Sequence, residues 1–529
     1  MSTLHTSIRS ERSLAPGWTA SQQFAFRVAF VFFVSICLPN DAGWYKDLFS
    51  FDWTSLHYRD LYDIARFGSG ITLFGNSLAG STFNGYAIWV ITLLFAVVIA
   101  GVWSLLDRKP REYWLLYYWL RVIVRYRAGI GIIGFGFTKL FPTQLPYPSL
   151  GLLNTDFGDL TLQKIYWLSI GIVPWYEVFA GVVEVLAGTL LFFRVTTFWG
   201  AVLLFGALAD IVYVNFAYDG GVHVYSSYFV LLSAFLLLEY IPKIYRLLIL
   251  EEVTIPSPFY PSFSSPWQKS IRIFLKTGVI AVFLVWLFYL QAVNFRYDPY
   301  KQPAIKGIPA LRGNYAVTEF KHNGQNIPYS PLDTLRWQQA TFENWTTLTF
   351  KVNRPVDLDL SNGGGSPMRD INRTFELTGV GGGQRVYYYE ADTLHQVLYL
   401  QDKNRGRQNR ETREIEGKAA NTNPPITGSS WIPQEALAAI GSEDEKIHPL
   451  ARSTRRTRGM LTEAEPETED REKGTRRNRM VLHYQALEGG KRVILTGLDE
   501  KRDSIYVILD RIPRKYPLSE SSLKAGYYE

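Results

Sequence analysis

Six charged residues lie inside segments that are otherwise apolar enough to cross a lipid bilayer. They are three bases and three acids, namely Arg121, Arg125, Lys139, Glu177, Glu184 and Asp210. A charge at that depth costs several kcal/mol unless it pairs with another charge or lines a cavity. Because the two signs balance, a paired polar core is expected. These residues are candidates for structural ion pairs, for a ligand pocket and for proton transfer.

Two runs of residues each share one face of a predicted helix, because their members recur every three or four positions. The runs are Arg125, Gly129, Ile132, Gly136 and Lys139, and Glu177, Gly181, Glu184 and Gly188. Small residues let helix backbones approach closely, so polar groups beside them reach across the interface. We expect the basic and acidic faces to meet. The alternative is that Arg121, Arg125 and Arg127 extend to the lipid headgroups and only the acids are buried.

Three members of this set are the catalytic candidates. A rise of about 1.5 Å per residue places Lys139, Glu177 and Asp210 towards the same outer side of the membrane, where they could meet. The next turn adds polar residues, namely Asn215, Tyr218, Asp219 and His223. An outward-facing pocket is therefore expected here. Glu184 and Arg125 lie deeper, which suits a structural pair or one step of a proton path.

The charged residues are carried by seven apolar stretches that are long enough for transmembrane helices. The stretches are Phe24–Pro39, Tyr86–Leu106, Leu120–Phe141, Pro174–Phe193, Thr196–Phe216, Val224–Ile241 and Ile271–Gln291. The first is short and carries Arg27, so a cleaved signal peptide is the alternative to a membrane anchor. Lys and Arg are concentrated in alternate loops, which predicts a cytoplasmic N-terminus and an extracytoplasmic position after Gln291. We expect a multi-pass protein in the inner membrane of a bacterium.

Beyond Gln291 the hydrophobic period changes from helical to alternating. Short alternating runs such as Thr346–Val352 are separated by turn residues, which predicts an antiparallel all-β domain. Residues 403–478 are rich in charge and Pro and poor in apolar side chains, which predicts a disordered insert. The expected organisation is a cytoplasmic tail at 1–21, two flanking membrane helices at 22–112, a four-helix membrane core at 113–241, a cytoplasmic loop with the seventh helix at 242–291, and an extracytoplasmic β-domain at 292–529.

Several kinds of chemistry are excluded by the inventory of residues. The single cysteine, Cys37, rules out an internal disulfide and a cysteine-ligated cluster. Only His223 of the seven histidines touches a predicted span, so no haem held by two facing histidines and no metal site is expected. The glycine runs at 363–365 and 379–383 predict turns and not nucleotide loops. The net charge of +7 reflects topology signals and the basic insert, so no nucleic-acid partner is expected.

The membrane core resembles the DoxX family. The segment Tyr126–Phe141, YRAGIGIIGFGFTKLF, is similar to that family's first helix. Trp175–Phe193, WYEVFAGVVEVLAGTLLFF, and the GAVLLFGAL helix after Arg194 resemble the second and third, and His223–Tyr240 the fourth. The resemblance covers residues 120–241. It implies a four-helix membrane core. Some members are named for association with quinol oxidase or thiosulfate:quinone oxidoreductase systems, which makes quinone the candidate cofactor, although the activity of most members is unknown and the cofactor stays open.

A more distant resemblance is to the HTTM domain of vitamin K-dependent γ-carboxylases. That domain also has a Lys-Leu pair ending one helix, and an extracytoplasmic β-rich part follows it. Its lysine acts as a base on the reduced quinone. In this chain the matching position is Lys139, which is followed by Leu140.

Three functions are compatible with these features. The first is a redox- or quinone-associated accessory subunit of a cell-envelope membrane complex. The second is a non-enzymatic membrane scaffold whose β-domain binds an envelope protein. The third, weaker one is a small-molecule transporter, although the sequence has no evident inverted repeat. Membrane lipids are a partner in each case, and whether the protein is an enzyme stays open.

Overall fold

The computed structural model describes residues 18–40, 42–50, 53–54, 56–67, 84–107, 112–254, 261, 265–297, 301–365, 369–404, 431–440 and 477–520. The chain divides into two compact units. We call the first the helical unit; it comprises the described residues of 1–50, 62–136 and 183–286. The second, the barrel unit, comprises those of 51–61, 137–182 and 287–529.

Thirteen helices precede the first strand in the described part of the chain. They are α1 Ala20–Cys37, α2 Ala42–Ser50, α3 Tyr58–Ala65, α4 Asn84–Leu106, α5 Trp114–Leu140, α6 Leu150–Leu153, α7 Leu162–Gly171, α8 Pro174–Leu191, α9 Thr197–Ala217, α10 His223–Leu237, α11 Ile241–Leu248, α12 Pro266–Ile280 and α13 Leu287–Tyr297. A 3-10 turn forms at Phe157–Asp159, and a π-helical segment, Ala281–Trp286, joins α12 to α13.

Five helical segments are long and apolar enough to cross a membrane. They are Ala20–Cys37, Gly85–Leu106, Pro174–Leu191, Thr197–Ala217 and Pro266–Arg296. The pair α10 and α11 counts as a sixth if it is one span, although it bends by 65°. These helices are compatible with a multi-pass membrane protein. Six of the seven predicted stretches therefore correspond to a candidate span or to this bent pair.

The remaining predicted stretch forms α5, a helix of 27 residues. It is long enough to span a bilayer, but it is not among the candidate spans. Every window of 18 residues within it contains three of the basic residues Arg121, Arg125, Arg127 and Lys139. The same charges that mark this helix as a candidate site thus separate it from an ordinary lipid-facing span.

Helix α1 is packed within the helical unit although it carries a charge. Thr19 and Gln22 form a reciprocal capping box at its start. The Arg27 guanidinium is only 3 % exposed, and its Nη2 and Nε donate to the Tyr113 hydroxyl at 2.6 and 3.0 Å. Its Nη1 donates to Ser104 Oγ at 2.6 Å. Arg27 is therefore a residue that holds α1 against α4 and the start of α5.

Glycines bring α5 and α8 into direct contact in the helical unit. A methyl group at Gly188 would lie 2.6 Å from the Ile133 side chain and 3.0 Å from the Gly129 carbonyl oxygen. One at Gly136 would lie 2.7 Å from Val185. The predicted contact between the two glycine-containing faces is thus confirmed at these positions. Its physical reason is the absence of a Cβ, which lets the backbones approach closely.

Nine strands build the barrel unit. They are β1 Gly313–His322, β2 Gln325–Asn326, β3 Gln339–Phe342, β4 Thr347–Lys351, β5 Gln384–Asp392, β6 Val397–Asp402, β7 Arg479–Leu487, β8 Arg492–Leu498 and β9 Ser504–Ile512. Neighbours pair antiparallel in the order β1, β3, β4, β5, β6, β7, β8, β9, and β9 pairs back with β1. These eight strands form a closed barrel, and β2 only extends β1 as a hairpin. The predicted antiparallel β-domain is confirmed.

Side chains fill the inside of the barrel. Its core includes Tyr315, Phe342, Tyr387, Leu398 and Leu495, each completely buried. An eight-stranded barrel has an interior just wide enough for side chains to fill. The alternation along the strands therefore produces a packed core.

Part of the predicted disordered insert is ordered. Residues Gln434–Ile440 form a short helix, α14, in which Ala436 is completely buried. Ile432 just before it is 3 % exposed, and Trp431 packs edge-on against Tyr399 of β6. Residues 405–430 and 441–476 lie outside the described residues. After β9, the four residues Pro517–Glu520 form α15.

Candidate functional site

Arg121 is paired, but with an acid that the sequence analysis did not select. Its Nε lies 3.2 Å from Glu239 Oε2, just after the end of α10. Its Nη1 also donates to the Leu236 carbonyl at 3.0 Å. The ring of Tyr240 lies 5.7 Å from its guanidinium carbon. Arg121 and Glu239 therefore form a structural ion pair that joins α5 to the segment directly after α10.

The other two arginines of α5 are directed to neutral partners. Arg125 Nη1 donates to Thr197 Oγ1 at 3.3 Å. Arg127 is 5 % exposed, and its Nη1 donates to the Ala65 carbonyl at 2.8 Å. Its guanidinium carbon lies 4.0 Å from the centre of the Phe67 ring. The alternative that Arg127 extends to the headgroups is wrong, because hydrogen bonds and aromatic faces compensate its burial inside the unit.

The polar residues around the turn between α9 and α10 are partly exposed and partly buried. Asp210 and Asp219 are exposed, which corrects the expectation that Asp210 is buried among polar groups. Tyr218 is 36 % exposed at the end of α9. Asn215 is buried, and its side chain accepts from the Val222 amide at 3.3 Å. Polar residues here hold the turn between two helices.

His223 and Glu184 are buried in the helical unit. His223 is 9 % exposed, and its ring lies 4.6 Å from that of Phe216. Glu184 is 2 % exposed, and its Cβ lies 3.2 Å from the point where a Cβ on Gly136 would stand. Both residues therefore belong to helix packing interfaces.

Glu177 lies in the barrel unit and is held by backbone groups. The carboxylate is 1 % exposed, and its Oε1 accepts from the amides of Gln144 and Leu145 at 3.1 Å each. These amides belong to the loop that follows α5. Two positive charges act on the carboxylate, that of Lys139, as the sequence suggested, and that of Lys301. Glu177 thus connects the loop after α5 with a second lysine from a distant part of the chain.

Two buried lysines flank a pair of stacked rings in the barrel unit. Trp167 of α7 and Phe375 stack at 6.1 Å with an angle of 11°. Lys164 Nζ lies 3.7 Å from the centre of the Phe375 ring and donates to the Phe375 carbonyl. Lys301 Nζ lies 4.6 Å from Trp167 and 5.5 Å from Phe375. The aromatic faces partly compensate the loss of water around both ammonium groups.

An ion pair positions the segment that carries Lys301. The Asp370 carboxylate accepts from the amides of Ala304 at 2.9 Å and Ile305 at 2.8 Å. Arg373, which is completely buried, lies 3.4 Å from Asp370 and donates to the Gln302 carbonyl at 2.8 Å. These bonds fix the residues directly after Lys301. The lysine is therefore preorganised by its neighbours in the chain.

Two more carboxylates are buried in the barrel unit, those of Glu376 and Glu343. Glu376 accepts from Lys403 Nζ at 2.5 Å and from the Trp345 indole N–H. Glu343 accepts from the amides of Leu150 and Gly151 at 3.0 and 2.7 Å. Those amides belong to the first two residues of α6. The negative charge of Glu343 therefore lies at the N-terminus of this helix, where backbone N–H groups have no partner within the helix and the helix dipole is positive.

Five of these groups interact in sequence, and we call them the lysine–carboxylate chain. Its members are Glu177, Lys301, Lys164, Glu376 and Glu343, where each charge acts on the next. Burial lowers the pKa of Lys301 to about 7, with Glu177 opposing this shift, and lowers the pKa of Lys164 well below its usual range. Burial, reinforced by Glu376, raises the pKa of Glu343 to about 7. Both Lys301 and Glu343 can therefore change protonation state near neutral pH.

A separate group near the barrel rim has the composition of a metal site. His322 Nε2 lies 3.2 Å from Asp499 Oδ2 and 3.5 Å from Asp503 Oδ2. Their possible ligand atoms all lie within 4.8 Å of one another. These contacts are equally those of an ordinary ion pair between a histidine and two carboxylates, so they do not by themselves identify a metal site.

Sequence reasoning selected Glu177 and Lys139 but missed most of the lysine–carboxylate chain. Lys164 and Lys301 lie outside the apolar stretches, where a lysine is usually solvated. The interaction partners of Lys164 include Phe375 and Glu376, more than two hundred positions further along the chain. One local signal was available: Lys164 and Trp167 are three residues apart on α7.

Comparisons with known protein families, with characterised proteins and with solved structures found no match for this chain. The resemblances to the DoxX family and to the HTTM domain therefore stay predictions.

Proposed function

We propose that this protein is a quinone-associated accessory subunit of a cell-envelope membrane complex, in which the lysine–carboxylate chain exchanges protons with the bound quinone or its partner. The observation that carries the proposal is the interaction of five buried titratable groups within one unit. Quinone reduction consumes protons, so a site that serves it needs groups that titrate near the working pH.

Lys301 is the group best suited to this role. With a pKa of about 7, it is present at neutral pH as both ammonium and free amine. It is 5 % exposed, and the bonds of Asp370 and Arg373 fix the chain beside it. Perturbed titratable groups in preorganised surroundings are typical of functional sites, although structural networks share this property.

The proposal includes an orientation in the inner membrane of a bacterium. The basic loops favour a cytoplasmic N-terminus, and the barrel unit then lies outside the cytoplasm. A Leu332→Cys variant in a Cys37→Ala background tests this, because Leu332 is 80 % exposed in the barrel unit. We expect labelling by a membrane-impermeant thiol reagent in intact spheroplasts. Labelling only after lysis would place the barrel in the cytoplasm.

The quinone association is tested on the full-length protein purified in mild detergent. Solvent extraction should yield quinone near one equivalent per protein. An unrelated multi-pass protein purified from the same membranes is the control, and an equal quinone content in both preparations contradicts the proposal.

The proton role of Lys301 has its own test. In Lys301→Met, the pH dependence of the bound quinone's midpoint potential should change around pH 7. Lys321→Met is the matched control, because that lysine lies in the same unit with its side chain 40 % exposed. Identical potential–pH curves for the wild type and Lys301→Met would remove the lysine from the mechanism.

The second candidate function is a scaffold that binds an envelope protein through the barrel. The supporting observation is the packed barrel interior, in which Tyr315, Phe342 and Tyr387 are completely buried. A filled barrel offers its outside surface for binding. A stable protein partner that is lost when residues 300–529 are deleted, together with an absence of bound quinone, would favour this function.

A further inference from the structure

A second polar site of the barrel unit lies outside the lysine–carboxylate chain and begins with His57. The imidazole is completely buried. Its Nδ1 accepts a hydrogen bond from the Arg59 amide at 3.1 Å, so the proton of the neutral ring lies on Nε2. Burial, reinforced by Arg59, lowers the pKa of this histidine to about 3. At physiological pH, His57 therefore presents a neutral N–H donor.

Among the described residues, that donor and the side chain of Gln291 have buried polar atoms for which no hydrogen-bond partner is found. Asn294 approaches the imidazole closely enough to oppose the fall of its pKa, but Nε2 makes no hydrogen bond of ordinary geometry to any described residue. Gln291 is 1 % exposed, and both its Nε2 and its Oε1 have no partner among the described residues. A buried donor or acceptor that is left unsatisfied destabilises the protein, so a ligand that supplies the missing partner is favoured.

Helix α13 brings these groups to one place. Gln291 and Asn294 are three residues apart, so their side chains share one face of the helix, and Asn294 contacts His57. Gln291 belongs to the apolar segment Pro266–Arg296, close to its end. The unsatisfied donors and the acceptor therefore lie on or beside a helix that is apolar enough to contact a bilayer.

Aromatic rings flank this place. Phe288 and Phe295 precede and follow Gln291 by three and four residues and are 44 % and 46 % exposed. Both rings pack on Phe141, at 5.2 and 5.7 Å. Exposed aromatic faces beside buried neutral donors suit a flat, uncharged ring that carries oxygen atoms. His57, Gln291 and Asn294 are all neutral, so none of them offers a charge of opposite sign to a charged ligand.

We propose that His57 and Gln291 bind one ring oxygen of a lipophilic quinone. His57 Nε2–H and the Gln291 amide donate to the carbonyl oxygen of the oxidised form, and Gln291 Oε1 accepts from the hydroxyl of the reduced form. The inference rests on the proposed quinone association and adds its binding site. It also separates two tasks, since His57 and Gln291 position the ring with neutral groups and the lysine–carboxylate chain handles protons.

The test compares binding of decylubiquinone to the full-length wild type and to His57→Phe and Gln291→Leu. Each variant should bind about tenfold more weakly, because it loses hydrogen bonds to the ring oxygen. His395→Phe and Gln325→Leu are matched controls at exposed positions of the same unit, and their affinities should equal that of the wild type. The melting temperature of Gln291→Leu without ligand should not fall, since the replaced atoms have no partner among the described residues. His57→Phe should melt at a lower temperature, because the Arg59 amide loses its acceptor.

The outcomes separate this site from the proposed function. If the wild type binds decylubiquinone and both site variants bind equally well, the site is overturned and the quinone association stands. If the wild type binds no quinone, the proposed function falls as well. Should the site variants fail to fold, infrared spectroscopy of the wild type decides. One carbonyl band of the bound quinone should shift to lower frequency, and unshifted bands overturn the assignment.

Discussion

The two units bury positive charge in different ways. In the described part of the helical unit, the buried cations are the arginines Arg27 and Arg127, which donate to a hydroxyl and to a backbone carbonyl. In the barrel unit, Lys164 and Lys301 are buried beside carboxylates and aromatic rings. Arginine stays charged in proteins, whereas a buried lysine readily changes its pKa. We infer that the helical unit uses charge to fix helices, and that the barrel unit keeps charge able to titrate.

Arg373 is an exception to this comparison, because it is a buried arginine of the barrel unit. It is completely buried, and it holds Asp370 and the Gln302 carbonyl. This arginine also has a structural task, because it fixes the segment that carries Lys301. The division is therefore one of chemistry as much as of position: arginines hold the framework, and Lys301 and Glu343 titrate within it.

The largest effect is expected from breaking a buried pair of the barrel unit. Glu376→Gln leaves the completely buried Lys403 without its carboxylate, which should cost about 3–5 kcal/mol of unfolding free energy. The double variant Glu376→Gln/Lys403→Met should be less destabilised, because no lone charge stays buried. Denaturant unfolding of the wild type, both singles and the double in detergent measures this.

The control for that cycle is Glu319→Gln, which breaks an exposed pair with Lys321. A change of about 0–1 kcal/mol is expected there. Strictly additive losses at Glu376 and Lys403 would show that the two charges do not depend on each other.

A smaller effect is expected from exchanging one kind of cation for the other in the helical unit. Arg127→Lys keeps the charge but loses the planar fork that reaches the Ala65 carbonyl and stacks on Phe67. We expect a loss of about 1–3 kcal/mol, the cost of leaving a buried polar group unsatisfied. The same exchange at the exposed Arg492 serves as the control, and thermal unfolding in detergent reports both. Equal melting temperatures for wild type and Arg127→Lys would mean that this unit needs only charge.

The most specific effect is a pH dependence of the barrel unit, and within any one pH unit it is the smallest. Glu343 has a raised pKa of about 7, so between about pH 4.5 and 7 the folded state binds more protons and stability falls as pH rises. Lys301 has a lowered pKa of about 7, so between about pH 7 and 10.5 the unfolded state binds more protons and stability rises with pH. Each group contributes at most about 1.4 kcal/mol per pH unit.

Single variants separate the two contributions. Glu343→Gln should flatten the acidic limb of the stability–pH curve, and Lys301→Met the alkaline limb, as measured by unfolding across pH. Lys164 reinforces the alkaline limb, because its pKa is also lowered. Parallel curves for the wild type and both variants would refute the view that these groups titrate in the folded protein.

Local patterns predicted the elements better than they predicted the site. The helical and alternating periods are properties of neighbouring residues, so the apolar helices and the antiparallel strands followed from the sequence. The contact of Gly129 with Gly188 also followed, because small residues on one helix face permit close packing. The burial of Lys164 did not follow, since Phe375 and Glu376 come from a distant part of the chain. The partner of Arg121 was missed because Glu239 stands at the end of a predicted span, where charges are common.

The closure of the barrel has a consequence for biosynthesis. Asn314 of β1 pairs with Ile512 of β9, so the first and last strands of the barrel are joined only after almost the whole domain has left the ribosome. Until then β1 and β8 each present an open row of backbone donors and acceptors, to which another nascent chain can attach. Contacts between such distant residues also form slowly. A chain that stops before Ser504 would therefore be a substrate for chaperones and proteases, even though every residue of the lysine–carboxylate chain has been made.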